Sequence, residues 1–76
     1  MILTESELDE LKYLLRHSNL GTLSPAKRME LISLIKKEMP EADINTPDAQ
    51  NYIGRIIVGK IELEKFEKIR SGIPVQ

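Results

Sequence analysis

Three helix-start signals divide this 76-residue chain, and they constrain its fold more than any other feature. Thr4 and Glu7 form a capping-box pair, because each side chain can satisfy a free backbone N–H in the first helical turn. Ser24-Pro25 and Thr46-Pro47 each place a capping oxygen before a proline at the first helical position, where the missing N–H costs nothing. These signals predict an all-α fold.

The ends of the helical segments are also marked. Gly21 follows the first apolar stripe, where a left-handed residue commonly ends a helix, and Pro40 disfavours helical backbone at the residue before it. We predict helices over about 5–19, 25–38, 47–58 and 62–70. They would form a single domain over residues 1–76, a small three- to four-helix bundle built from two helical hairpins.

The assignment of residues 47–70 depends on Gly59. Four apolar residues before it fit the helical template and are expected to form a core face: Tyr52, Ile53, Ile56 and Ile57. If the helix continued with that face inward, the next inward positions would lie near 60, 63 and 64, but the apolar residues fall at 61, 63, 66 and 69. We therefore favour a break at Gly59, with one long bent helix of about 47–70 as the alternative.

Composition narrows the classes of function. The chain has no cysteine and one histidine, His17, so it lacks the usual ligands of a zinc site and most arrangements of a nucleophile with its base. No stretch resembles a secretory signal, and no apolar run approaches the ~20 residues that cross a bilayer. We expect a cytoplasmic protein that is not an enzyme, binds no cofactor or metal and does not enter a membrane. The basic His17 is expected near the carbonyl end of the first helix.

The second helix carries more apolar residues than one inward stripe requires. They are Met29, Leu31, Ile32, Leu34 and Ile35. A small bundle buries one side of each helix, so we expect Met29, Leu31 and Leu34 to contact a partner protein or a second copy of this chain. The alternative is that this helix is central in the bundle. The favoured function is a small protein-binding or regulatory module, of the size common among accessory inhibitors and adaptors, phage-encoded ones included.

Two other functions remain open from the sequence. The net charge is −1, but the central part of the chain is basic, and a nucleic-acid-binding regulator would use Lys27, Arg28, Lys36, Lys37 and Arg55. No helix-turn-helix spacing accompanies these residues, and three aromatic residues in all provide little stacking surface for single strands. The third function is a homo-oligomeric structural component.

Overall fold

A computed structural model describes residues 2–72 of the chain. It contains three α-helices, namely α1 (Glu5–Leu20), α2 (Pro25–Glu38) and α3 (Pro47–Gly72). No strand occurs within residues 2–72. The all-α prediction is confirmed, and the predicted spans of the first two helices agree with the structure to within one residue.

The predicted capping signals form the expected hydrogen bonds. The Glu7 backbone N–H donates to Thr4 Oγ1 at 3.1 Å, and the Thr4 N–H donates to the Glu7 carboxylate at 3.0 Å. Ser24 Oγ accepts from the third residue of its helix at 3.2 Å, and Thr46 Oγ1 does the same at 3.1 Å. Each helix therefore begins where a side-chain oxygen replaces the missing backbone acceptor.

The first two helices also end as their sequences predict. Gly21 has φ +73°, and the backbone N–H groups of Gly21 and Thr22 donate to carbonyls of the last turn of α1 at 3.1 and 2.9 Å. A side chain at this position would be strained, because L residues other than glycine seldom adopt positive φ. Met39 leaves the helical region at φ −134° and ψ 81°, directly before Pro40.

The predicted break at Gly59 is wrong, because α3 runs without interruption from Pro47 to Gly72. The two-hairpin arrangement with separate helices at 47–58 and 62–70 is therefore not what the chain adopts. The error came from the choice of inward face. The residues of α3 that are buried are Gln50, Gly54, Ile57 and Ile61, whose spacing of four, three and four is that of one continuous helical stripe.

The core lies where the three helices meet, and each helix packs against both others. Its buried apolar residues are Leu3, Leu8, Leu11, Leu14, Leu15, Leu31, Ile35, Ile44, Ile57 and Ile61. Gly54 allows α1 and α3 to approach closely, since a Cβ atom added there would lie 2.7 Å from Leu15 Cδ2. The buried position of Ile44 anchors the connector between α2 and α3.

The third helix is much longer than the other two. At 1.5 Å per residue it measures about 39 Å, against about 24 Å for α1 and about 21 Å for α2. The last buried residue of α3 is Ile61, and residues 66–72 are all exposed. The described part of the molecule is accordingly elongated, with dimensions of 50 × 24 × 17 Å.

Candidate interaction surface

The outer side of α3 carries a continuous line of exposed residues. We call this line the outer stripe, and it consists of Tyr52, Ile56, Gly59, Leu63 and Phe66. Its four large side chains are between 43% and 62% exposed. Successive residues turn by about 100° around a helix, which places the outer stripe on the side of α3 opposite its buried residues.

The spacing within the outer stripe has the form of a coiled-coil seam. The intervals are four, three, four and three residues, as in the a and d positions of a heptad. Ala49 precedes the stripe by three residues and is half-buried, while Ile69 lies beside its far end and is exposed. Apart from the helix's own backbone and the neighbouring residues, no atom of residues 2–72 lies within 4 Å of a Cβ atom built on Gly59, so the middle of the outer stripe is an open depression.

Charged residues border the outer stripe on both sides. Arg55 and Glu62 lie along one border, and Lys60 and Glu67 lie along the other, at the positions that flank a heptad seam. The guanidinium Nε of Arg55 donates only to a backbone carbonyl of its own helix, at 3.4 Å. Lys60 and Glu67 are exposed. An apolar line with charged borders is the usual surface of a helix that pairs with another helix.

Ion pairs hold the second half of α3 against α1. Lys12 Nζ lies 2.5 Å from Glu62 Oε1, and its hydrogen bond lowers the pKa of that carboxyl below the usual value. Lys65 Nζ lies 3.1 Å from Glu5 Oε1, and that bond raises the pKa of the lysine. These contacts leave the outer stripe facing away from the rest of the molecule.

The structure separates the three partner-binding residues predicted on α2. Met29 is exposed, Leu34 is half-buried against the core, and Leu31 is fully buried in the core, out of reach of any partner. Most of the apolar residues of α2 are taken up by the core, because Leu31 and Ile35 are buried in it and Ile32 and Leu34 pack against it partly buried. Met29 and Leu34 do line a shallow groove of about 410 Å³, together with Glu10, Glu30 and Ser33.

The structure also distributes the predicted nucleic-acid-binding residues among different contacts. Lys27 pairs with Glu30 at 3.2 Å, which raises the lysine pKa, and Lys37 pairs with Glu7 at 2.6 Å, which lowers the carboxyl pKa. Of the five predicted residues, Lys36 and Arg55 are exposed and form no ion pair with another residue of 2–72, and they lie on different helices. The five residues do not form one basic patch.

Arg28, the remaining member of that set, lies at the centre of a polar network that the sequence did not reveal. Its guanidinium donates to Gln50 Oε1 at 2.8 Å and to Ser18 Oγ at 3.0 Å. The buried Gln50 amide in turn donates to the Ile44 carbonyl at 3.1 Å. The network joins all three helices to the connector before α3, so Arg28 has a structural role.

His17 lies in the last turn of α1, as predicted. Its Nδ1 lies 2.8 Å from Thr22 Oγ1, and its ring packs on Tyr13 with centroids 4.4 Å apart. These contacts tie the turn after α1 back to the helix. The contacts with Thr22 and Tyr13 explain the presence of His17 without a ligand-binding role.

Within residues 2–72 no group of three or more histidine, cysteine, aspartate or glutamate side chains is arranged to hold a metal ion. None of the helices in that range combines the length and apolar character that a bilayer crossing requires.

Comparison with known proteins found no matching family model, no matching curated protein and no matching solved structure.

Proposed function

We propose that this chain is a protein-binding module whose binding surface is the outer stripe of α3. The observation that carries the proposal is the exposure of Tyr52, Ile56, Leu63 and Phe66 in one line at heptad spacing. Monomeric proteins seldom expose a continuous apolar line of this kind. A partner that covers the line removes its apolar surface from water, and this burial favours association. The ligand that fits such a line is an amphipathic helix.

The length of α3 supports the same function. Its last turns have no buried residue, and an isolated helical segment of that length is only marginally stable in water. A partner helix lying along the outer stripe would cover Phe66 and supply the packing that the bundle does not. A regulatory role follows from this mode of binding, since the module acts by occupying a helical surface of its partner.

The contacts that the basic side chains make within the chain favour protein binding over nucleic-acid binding. Lys27, Arg28 and Lys37 are engaged within the chain, and phosphate binding would have to break those contacts. The groove at Met29 and Leu34 is a lesser candidate for protein binding, because the charged Glu10 and Glu30 line it beside only two apolar side chains.

A comparison of bait proteins in a lysate of the source organism tests the proposal. The test bait carries Leu63→Gln and Phe66→Gln, both at exposed positions, so its fold is retained. The control bait carries Met29→Gln, which removes an equally exposed side chain from α2. We expect wild type and the Met29→Gln bait to retain the same protein and the double variant to lose it. Equal capture by all three baits would contradict the proposal.

A further inference from the structure

The outer stripe is complementary to itself when a second copy of α3 is laid along it in the opposite direction. We propose, building on the protein-binding function above, that the partner helix is α3 of a second copy of this chain and that the two α3 helices pair antiparallel. In this register Ile56 of one copy faces Gly59 of the other. The result is a two-fold symmetric dimer in which every contact occurs twice.

The sizes of the side chains favour this register. With Ile56 opposite Gly59, the open depression at the glycine receives a branched side chain. The neighbouring layers then pair Tyr52 with Leu63 and Ala49 with Phe66. Each layer thus joins a larger and a smaller group, which is how facing helices interdigitate without voids or overlap. The overlap covers residues 49–66 in both copies.

The charged borders favour the antiparallel direction. In an antiparallel pair each border of one helix faces the same border of the other helix. Arg55 of one copy therefore lies opposite Glu62 of the other copy, and the two-fold symmetry makes this pair occur twice. In a parallel pair in register the two borders face across the seam, which would place Arg55 opposite Lys60 and Glu62 opposite Glu67. Both of those are like-charge pairs, which repel. Charge therefore selects one direction for the second copy.

Gly59 acquires a physical explanation under this proposal. A glycine inside a helix is less stable than an alanine there, and no side chain among residues 2–72 occupies the space beside Gly59. In the dimer the missing side chain makes room for Ile56 of the second copy. The pairing buries the exposed apolar residues of the middle of α3 in both molecules.

Analytical ultracentrifugation of the purified chain alone tests the dimer. We expect a species of twice the 8.7 kDa chain mass at concentrations of about 100 μM. Leu63→Gln with Phe66→Gln should weaken dimerisation by about 100-fold or more, because each lost side chain is lost from both copies. The Met29→Gln control should dimerise like wild type. Far-UV circular dichroism checks that each variant keeps its helical content.

Charge reversal tests the direction of pairing. Arg55→Glu should weaken an antiparallel dimer by about 3- to 10-fold, since it places Glu opposite Glu62 in two places. The matched Lys60→Glu variant should change the antiparallel dimer little, because Lys60 faces Ile53 there. In a parallel dimer both reversals would create opposite-charge pairs and strengthen association. Strengthening by both variants would overturn the antiparallel arrangement.

A monomer that persists at about 1 mM would overturn the dimer altogether. That result would not decide the protein-binding function, which the bait comparison tests separately: loss of a captured protein from the double variant would then show a different protein on the outer stripe. A dimer that the double variant leaves intact would place the interface elsewhere and would also overturn the inference.

Discussion

The close approach of α1 to α3 at Gly54 predicts opposite effects for the same substitution at two glycines of one helix. A Cβ atom at Gly54 would lie 2.7 Å from Leu15 Cδ2 and 3.2 Å from Cδ1, and Leu15 is itself buried among the core leucines. The leucine therefore has little room to move. Overpacking of this kind costs about 1–3 kcal/mol, whereas replacing a helical glycine by alanine gains about 1 kcal/mol. Gly54→Ala should change stability by between about 0 and −2 kcal/mol.

Gly59→Ala is the matched control. Its Cβ atom would contact no other side chain in the described part of the chain, so the full gain in helix propensity, about 0.5–1 kcal/mol, should appear as added stability. The two variants should therefore differ by about 0.5–3 kcal/mol. For a domain of this size, 1 kcal/mol shifts Tm by about 4–8 °C, so the difference is easily resolved.

Urea denaturation followed by circular dichroism measures both variants. The protein must be dilute enough to be monomeric, because Gly59 lies in the outer stripe and alanine there would also disturb a dimer. Equal stabilisation by both substitutions would show that Gly54 has room for a methyl group and would refute the close packing of α1 on α3. No gain at Gly59 would indicate that the helix is interrupted there.

Three further predictions follow from the contacts within the bundle. Arg28→Met should lower stability by about 1–3 kcal/mol, because the buried Gln50 amide oxygen loses its donor. The control Lys36→Met should change stability by no more than about 0.5 kcal/mol. An Arg28→Met variant as stable as wild type would contradict a stabilising role for the network. Leu31→Ala should lower stability by about 2–5 kcal/mol in the same denaturation experiment, because Leu31 is fully buried. A nearly unchanged stability would indicate that Leu31 is exposed. The hydrogen bond from Lys12 lowers the pKa of Glu62 below its ordinary value of 4.5. The ion pair therefore stabilises the folded state at pH values above about 4.5, and this stabilisation is lost as the pH falls through the pKa of the folded state. Wild type should therefore lose more stability than Glu62→Gln on acidification below about pH 4.5, and parallel acid profiles would contradict the pairing.

The starts of all three helices and the ends of the first two were predictable because the chemistry that sets them is local. Thr4 caps through a residue three positions away, and Gly21 ends α1 through its own backbone preference. Such signals lie within one turn of sequence and do not depend on the rest of the fold. The same reasoning located the starts of α2 and α3 correctly.

The inward face of α3 was only partly predictable from its own residues, since Ile57 of the predicted face is buried and Ile53 packs against the core, whereas Tyr52 and Ile56 are exposed. Tyr52 and Ile56 form a helical stripe as regular as the buried one, and only the packing of α1 and α2 decides which stripe is covered. Gly54 carries no apolar side chain, so hydrophobic periodicity does not indicate it, although it packs directly against Leu15 of α1. Once the wrong stripe was placed inside, Ile61 appeared out of phase and a break at Gly59 seemed necessary.

The contacts of the α2 side chains were missed for the same reason. The apolar residues of α2 were interpreted as surplus, but Leu31 and Ile35 are fully buried in the core. Arg28 was grouped with the basic residues near it in sequence, while its partners Ser18 and Gln50 lie 10 and 22 positions away. Side-chain contacts between distant segments leave no local pattern.

The continuity of α3 is the central claim, because the outer stripe exists only if residues 47–72 form one helix. The chain has no cysteine, so Asp48→Cys and Arg70→Cys allow two spin labels to be placed at exposed positions equally far from Gly59. Double electron–electron resonance then measures the distance between them, with excess unlabelled protein present to suppress signals between molecules. A continuous helix predicts about 33 Å between the two backbone positions. A hairpin folded at Gly59 would bring them to about 10 Å, and that result would contradict the account.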